Sequence, residues 1–258
     1  MKNRIILVSL YMSMLLFAGC SVKEDRMTCP CRLVLDFSKV DTSVIEDADI
    51  YLVSEDGFTF SDRLVAEAFS DNYVIDIPRH DVDLGIWSGT WNRMDGGGVD
   101  IPYGEDCPPV YFHTAALEAD GESVRELVMM RKNHCVMTVM LGWDDEEIND
   151  VILIGNVDGY EADGSPSIGE FSYKLSLDDD GTCRAILPRQ VDDSLQLEVN
   201  DGSGVVKRFS LGEYIAECGY DWTEPDLKDM TIELDMAVLM ISLTIQGWDT
   251  THKFDVVI

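Results

Sequence analysis

The chain has 258 residues, of which 49 are acidic and 19 are basic, so its formal net charge at pH 7 is −30. An acidic excess of this size repels nucleic acids and anionic lipid headgroups, and it argues against both as partners bound through charge. The acids are spread through a sequence that is 46% hydrophobic, which is typical of a folded protein and not of an acidic disordered tail.

Residues 1–19 have the pattern of a lipoprotein signal peptide. Lys2 and Arg4 form a short positive region, an apolar run extends to Phe17, and small residues precede Cys20. The apolar run is shorter than the roughly 20 residues of a membrane-spanning helix. We therefore expect cleavage before Cys20 and attachment of lipid to its thiol. Phe17 stands where such signals usually carry Leu, and an ordinary cleaved signal with a chance cysteine is the alternative.

Residues 20–28 are predicted to form an acidic tether between the lipid and the folded part of the chain. Ser21 to Asp25 resembles the segment that sends lipoproteins of one group of Gram-negative bacteria to the outer face of the outer membrane. In physical terms alone, it is a solvated linker. Loss of residues 1–19 would leave 17 basic and 49 acidic residues, a formal charge of −32.

Six cysteines follow Cys20, and in an exported chain an even number permits disulfides, with fifteen possible pairings. They are Cys29, Cys31, Cys107, Cys135, Cys183 and Cys218. A bridge between Cys29 and Cys31 would be strained, so each is expected to pair elsewhere or to stay reduced. A zinc site is disfavoured because no second close Cys or His pair completes a tetrahedron.

Short runs with period-two alternation of apolar and polar residues dominate the sequence, and they predict half-buried strands. The runs are 33–37, 50–53, 73–77, 86–91, 136–141, 151–154, 171–175, 195–199 and 241–245. Acidic, glycine-containing turns separate them, as at 55–57, 95–98, 178–181 and 200–204. The pattern predicts an all-β fold of the sandwich type.

One short helix is predicted after Ser210. Ser210 and Glu213 have the spacing of a capping box, apolar residues recur at helical spacing up to Cys218, and Gly219 supplies a stop. We expect this helix to be a packed connector.

The chain restarts about a hundred residues after its first strand. Cys31 and Cys135 each precede an alternating strand, and each strand is followed by another that leads into an acidic turn with glycine. This repetition predicts two related domains, an N-terminal sandwich over residues 29–128 and a C-terminal sandwich over 129–258, with the boundary near 126–132.

Three segments resemble the FimB-type family, the lipid-anchored subunits of major and minor type V fimbriae. The segments are 24–37, with a Cys-Pro step into the first strand; 127–135, an apolar-Arg-Asn stretch; and Trp222 with the closing strands at 230–234 and 241–248. The resemblance implies two tandem transthyretin-like β-sandwich domains at the cell surface. It also implies that the chain anchors a fimbria to the outer membrane and limits its length, with fimbrial shaft subunits as partners.

No catalytic or cofactor site is predicted. The histidines, His80, His113, His134 and His252, are scattered, and no Gly-x-Ser-x-Gly elbow occurs. The acidic runs 144–147 and 178–181 lack the ligand spacing of an EF-hand loop, so they are interpreted as solvated turns and not as metal sites.

Binding of a surface glycan or protein outside any fimbria is the alternative function. Trp87, Trp91, Tyr103 and Tyr111 flank the glycine-rich loop at 96–98, and exposed aromatic rings can stack on sugars. Aromatic residues at alternating strand positions more often belong to a core.

Overall fold

The structure is a computed structural model that describes residues 29–89, 98–142, 148–201, 205–235 and 238–256. The predicted signal peptide, Cys20, the tether, Trp91 and the acidic run 144–147 lie outside these residues.

Over the described residues the chain forms eighteen strands and one α-helix, α1 (Leu211–Glu217). The strands are β1 (Cys31–Asp36), β2 (Asp47–Val53), β3 (Thr59–Val65), β4 (Tyr73–Ile77), β5 (Val82–Ser88), β6 (Val99–Asp100), β7 (Tyr111–Leu117), β8 (Ser123–Leu127), β9 (Arg131–Lys132), β10 (His134–Gly142), β11 (Ile148–Tyr160), β12 (Pro166–Leu175), β13 (Thr182–Pro188), β14 (Gln196–Asp201), β15 (Val206–Phe209), β16 (Met230–Asp235), β17 (Met240–Ile245) and β18 (Thr251–Asp255).

The strands form four sheets that pack as two sandwiches. In the first sandwich, the sheet β4-β1-β8 faces the sheet β3-β2-β5-β7-β9. In the second, β13-β10-β16-β17-β18 faces β12-β11-β14-β15. The predicted all-β class, with two tandem β-sandwiches and a short helix, is confirmed.

The two sandwiches repeat one topology. β1 pairs antiparallel with β4 and parallel with β8, and β10 pairs antiparallel with β13 and parallel with β16. In the facing sheets, β2 lies between β3 and β5 as β11 lies between β12 and β14. The restart at Cys31 and Cys135 therefore corresponds to two equivalent strands, β1 and β10.

Two separate hydrophobic clusters fill the sandwiches. Alternation places Leu33 and Leu35 of β1 in the first cluster and Met137 and Val139 of β10 in the second, all of them fully buried. The segment 99–110 precedes the predicted boundary but packs in the second cluster, and its strand β6 pairs with β11. The first part of the chain thus contributes to the second core.

Residues 128–132 do not form an exposed linker. Val128 is fully buried, and β9 pairs with Tyr111 and Phe112 of β7. Arg131 and Lys132 also form ion pairs with Asp226 and Asp229. The chain is therefore held by both sandwiches where it passes between them, and the boundary at 128/129 stays a prediction.

Helix α1 follows the prediction closely. Leu211, Ile215 and Cys218 are buried on one side, and Gly219 ends the helix with a φ of +80°, a value that favours glycine. The predicted capping box is wrong in one respect, because the Ser210 side chain makes no capping hydrogen bond.

All six cysteines of the described residues are free thiols. Cys29 is exposed and the other five are buried. Burial raises the pKa of the Cys135 and Cys183 thiols to about 12, which makes them poor nucleophiles at neutral pH.

Candidate functional site

The outer edge of β8 has no strand beside it among the described residues. Its other edge is bonded to β1 at both ends, since Glu122 O accepts from Arg32 N at 3.0 Å and Val128 N donates to Asp36 O at 2.9 Å. Backbone groups alternate in direction along a strand, so the even-numbered residues between these ends also bond to β1. Ser123, Arg125 and Leu127 therefore present their N–H and C=O groups outward.

Comparison of the two sandwiches shows that, among the described residues, the first sandwich has no equivalent of strand β17. In the second sandwich β16 occupies the position of β8, and its outer side is paired with β17 over six residues. Two other outermost strands correspond between the sandwiches, β4 to β13 and β3 to β12, whereas β9 has no counterpart beside β15. Over the parts of the chain that are described, the β8 edge thus differs from its counterpart by lacking a neighbour.

Partly buried apolar side chains lie on the strands at this open edge. The strands β7 and β8 face each other there, and β9 covers only Tyr111 and Phe112 at one end of β7. Ala115, Val124 and Met130 are partly buried side chains that pack against the first core. In the second sandwich, the added strand β17 places Ile241 and Leu243 fully in the core.

One polar pair bridges the two sheets at the open side. His113 of β7 and Glu126 of β8 point into the sandwich, with His113 Nε2 3.0 Å from Glu126 Oε1. The second ring nitrogen of His113 lies 3.3 Å from the backbone nitrogen of Met129. This pair fixes the position of β8 relative to β7, and no sequence motif marks it.

The aromatic residues predicted as a glycan-binding group do not come together. Trp87 is 0% exposed and packs on Phe112, with ring centroids 4.6 Å apart. Tyr111 is half-buried against His134, whereas Tyr103 is 72% exposed. Trp91 lies outside the described residues.

The remaining sequence candidates also stay apart. His80 lies near Asp56, His134 near Val110 O, and His252 beside Trp248. The acidic run 178–181 is a tight turn between β12 and β13, which belong to facing sheets, and Asp180 accepts from the backbone of Thr182. Nowhere in the described ranges do three or more His, Cys, Asp or Glu side chains meet as a metal site would require. Likewise, no helix in these ranges is long and apolar enough to cross a bilayer.

Comparison with known proteins establishes the fold. No family model matches the sequence, and no curated protein matches it. Among solved structures, a candidate polysaccharide-binding protein from Bacteroides thetaiotaomicron superposes with a TM-score of 0.61 at 13% identity, covering 88% of this chain and 98% of the other.

Two further structures share the architecture. The fimbrial anchor protein Mfa2 from Porphyromonas gingivalis superposes with a TM-score of 0.58 at 14% identity, covering 85% of this chain and 98% of that protein. A candidate adhesin from Bacteroides ovatus gives 0.57 at 12% identity, covering 91% and 97%. The fold implied by the resemblance to lipid-anchored fimbrial subunits is therefore confirmed.

Proposed function

We propose that this chain is a lipid-anchored subunit that attaches a cell-surface fimbria to the outer membrane and terminates it there by accepting a strand from a shaft subunit at the β8 edge. No reaction is catalysed. Affinity comes from main-chain hydrogen bonds, and specificity comes from the side chains that alternate along the added strand.

The observation that carries this proposal is that no strand of the described residues lies beside the outer edge of β8. Ser123, Arg125 and Leu127 turn their backbone groups outward, and the equivalent edge of β16 in the same chain is completed by β17. An edge strand of this kind is a template for pairing with another chain. The incoming strand would take the position that β17 has in the second sandwich.

The membrane end of the chain fits the same role. A lipid on Cys20 holds the first residue of the mature chain at the bilayer. The tether of residues 20–28 and the short step to Cys31 span at most roughly 40 Å when extended, at about 3.3–3.6 Å per residue. The β8 edge belongs to the sandwich that follows the tether along the chain, so a bound shaft subunit would sit at the base of the fimbria.

The structural relatives support a surface role. Mfa2 is described as a fimbrial anchor protein, and the Bacteroides ovatus relative is described as a candidate adhesin.

The acidic surface supports a second, electrostatic mode of attachment, in which a basic partner is held by charge and affinity falls steeply as the salt concentration rises.

One titration separates strand addition from charge. Binding of the mature chain to purified shaft subunit is measured at low and high salt, in the parent and in Leu127→Pro. Proline at 127 removes an outward N–H while leaving the bonds to β1 intact, and it sits in extended backbone that it tolerates. We expect binding that depends weakly on salt and is abolished in the variant.

Lys253→Pro is the matched control. Val256 N donates to Leu239 O, so alternation along β18 turns Lys253 outward at the edge of the second sandwich. This variant should bind like the parent. Strong salt dependence with indifference to Leu127→Pro would reject strand addition, and loss of binding in both variants would place the contact elsewhere.

A further inference from the structure

A pocket of about 400 Å³ lies on the outer face of the five-stranded sheet in the first sandwich. Its floor is Gly85 of β5, and its walls include Tyr51 and Trp87. The tip of the β11–β12 hairpin, at Ala162 and Asp163, closes one side. The β8 edge belongs to the opposite sheet, so this pocket is separate from the proposed strand-binding site.

The pocket borders a buried hydrogen-bond donor that has no acceptor among the described residues. Trp87 is fully buried, and its indole Nε1 is unpartnered. The nitrogen adjoins the pocket floor, since a β-carbon added at Gly85 would lie 3.0 Å from it and 3.6 Å from Ala162 O. A buried N–H without a partner is unfavourable, and a ligand acceptor would remove that cost.

Hydrogen-bond acceptors also line this pocket. Asp83 projects from β5, and Asp163 projects from the hairpin tip. The Ser165 hydroxyl and amide donate to Asp163, which keeps its pKa below the usual range, so this carboxylate is charged at neutral pH. No Lys or Arg is among the described residues that line the pocket.

This combination selects the chemistry of the ligand. Two carboxylates and a strongly acidic surface exclude an anion such as phosphate. An ammonium group would satisfy the carboxylates but has no lone pair for the indole N–H. A hydroxyl group both donates and accepts, and the apolar walls suit the C–H face of a ring.

We infer that this pocket binds a neutral sugar residue of a glycan. One hydroxyl oxygen accepts from Trp87 Nε1, other hydroxyls donate to Asp83 and Asp163, and the half-buried Tyr51 ring flanks the sugar. The inference is independent of the fimbrial proposal, because the pocket is formed by the outer face of another sheet.

The test follows the indole N–H signal of Trp87 by NMR in the mature chain. The chain has five tryptophans, and Trp87→Phe identifies the signal by its loss. The probes are glucose, galactose, mannose and N-acetylglucosamine, with lysine amide as the cationic comparison. We expect a saturable shift of the Trp87 signal with at least one sugar and none with lysine amide.

Gly85→Ala fills the floor of the pocket and should abolish the shift. Gly142→Ala is its matched control, because a β-carbon at that strand glycine would meet nothing nearer than 3.8 Å. Asp83→Asn should weaken sugar binding by about tenfold, and Asp76→Asn on the other sheet should leave it unchanged. No shift with any sugar, a shift that persists in Gly85→Ala, or a response to lysine amide alone would overturn the inference.

Discussion

The side chains of His113 and Glu126 join the two sheets of the first sandwich at its open side, with His113 Nε2 3.0 Å from Glu126 Oε1. Both are inward-facing, and the exposed fractions of their side chains are 12% and 26%. The pair lies next to the outer edge of β8, so a strand added there would cover it. It therefore holds β8 in position relative to β7.

Loss of this pair should loosen β8. Glu126→Ala leaves His113 Nε2 without its partner, and we expect the free energy of unfolding to fall by about 1 kcal/mol. Glu126→Gln keeps an acceptor oxygen and should lose less. Urea unfolding of both variants measures the difference. Equal stability of the alanine variant and the parent would show that the pair contributes nothing.

His134 should make the protein sensitive to mild acid. Its ring is buried and Nδ1 lies 3.0 Å from Val110 O, and burial lowers its pKa from 6.5 to about 4. Between these values the unfolded chain binds the extra proton, so stability is complete above pH 6.5 and declines as the pH falls toward 4. His134→Asn removes the titrating group and keeps a donor for Val110 O. The urea concentration at the midpoint of unfolding should vary less with pH between 4 and 6.5 in this variant than in the parent. An equal pH dependence in both proteins would show that His134 is not the group that titrates.

Asp106 should act in the opposite direction. It is half-buried, Ile186 N donates to it at 2.9 Å, and burial raises its pKa to about 6. The folded chain holds the proton between pH 4 and 6, so this group makes stability fall as the pH rises through that range. Asp106→Asn keeps the acceptor oxygen for Ile186 N but carries no charge. At pH 7 we expect its free energy of unfolding to exceed that of the parent by about 1 kcal/mol, a value reduced because solvent screens this half-buried group. Thermal unfolding at pH 4 and pH 7 checks this, since the gain should vanish at the lower pH.

Cys20 should carry the membrane anchor. Cys20→Ala removes the thiol that would be alkylated, so the protein should move from the membrane fraction to the soluble fraction. Detergent phase partitioning of the two forms measures the change. An alanine variant that still partitions with the membrane would sink the lipoprotein assignment.

Local patterns predicted much of the fold. Alternation in 33–37 and 136–141 predicted β1 and β10, because each strand has one face in a core. Helix α1 was predicted from its apolar spacing and from Gly219. The repeat of Cys31 and Cys135 correctly indicated two related sandwiches.

Non-local contacts could not be predicted. The pairing of β6 with β11 joins residues about sixty apart, and nothing in Val99 or Asp100 specifies that partner. The glycan-binding alternative requires an exposed Trp87 ring, but Trp87 belongs to the second core, as is usual for aromatic residues at alternating strand positions. The open edge of β8 depends on which strands lie beside it in space, and strand alternation does not contain that information.

Hydrogen exchange at β8 tests strand addition most directly. The amide exchange rates of Ser123, Arg125 and Leu127 are measured in the mature chain with and without purified shaft subunit. We predict that these three outward-facing amides become protected, while those of Val124 and Glu126, already bonded to β1, change little. Unchanged exchange at all three in the bound complex, or protection confined to another edge strand, would contradict the proposal that β8 accepts the donated strand.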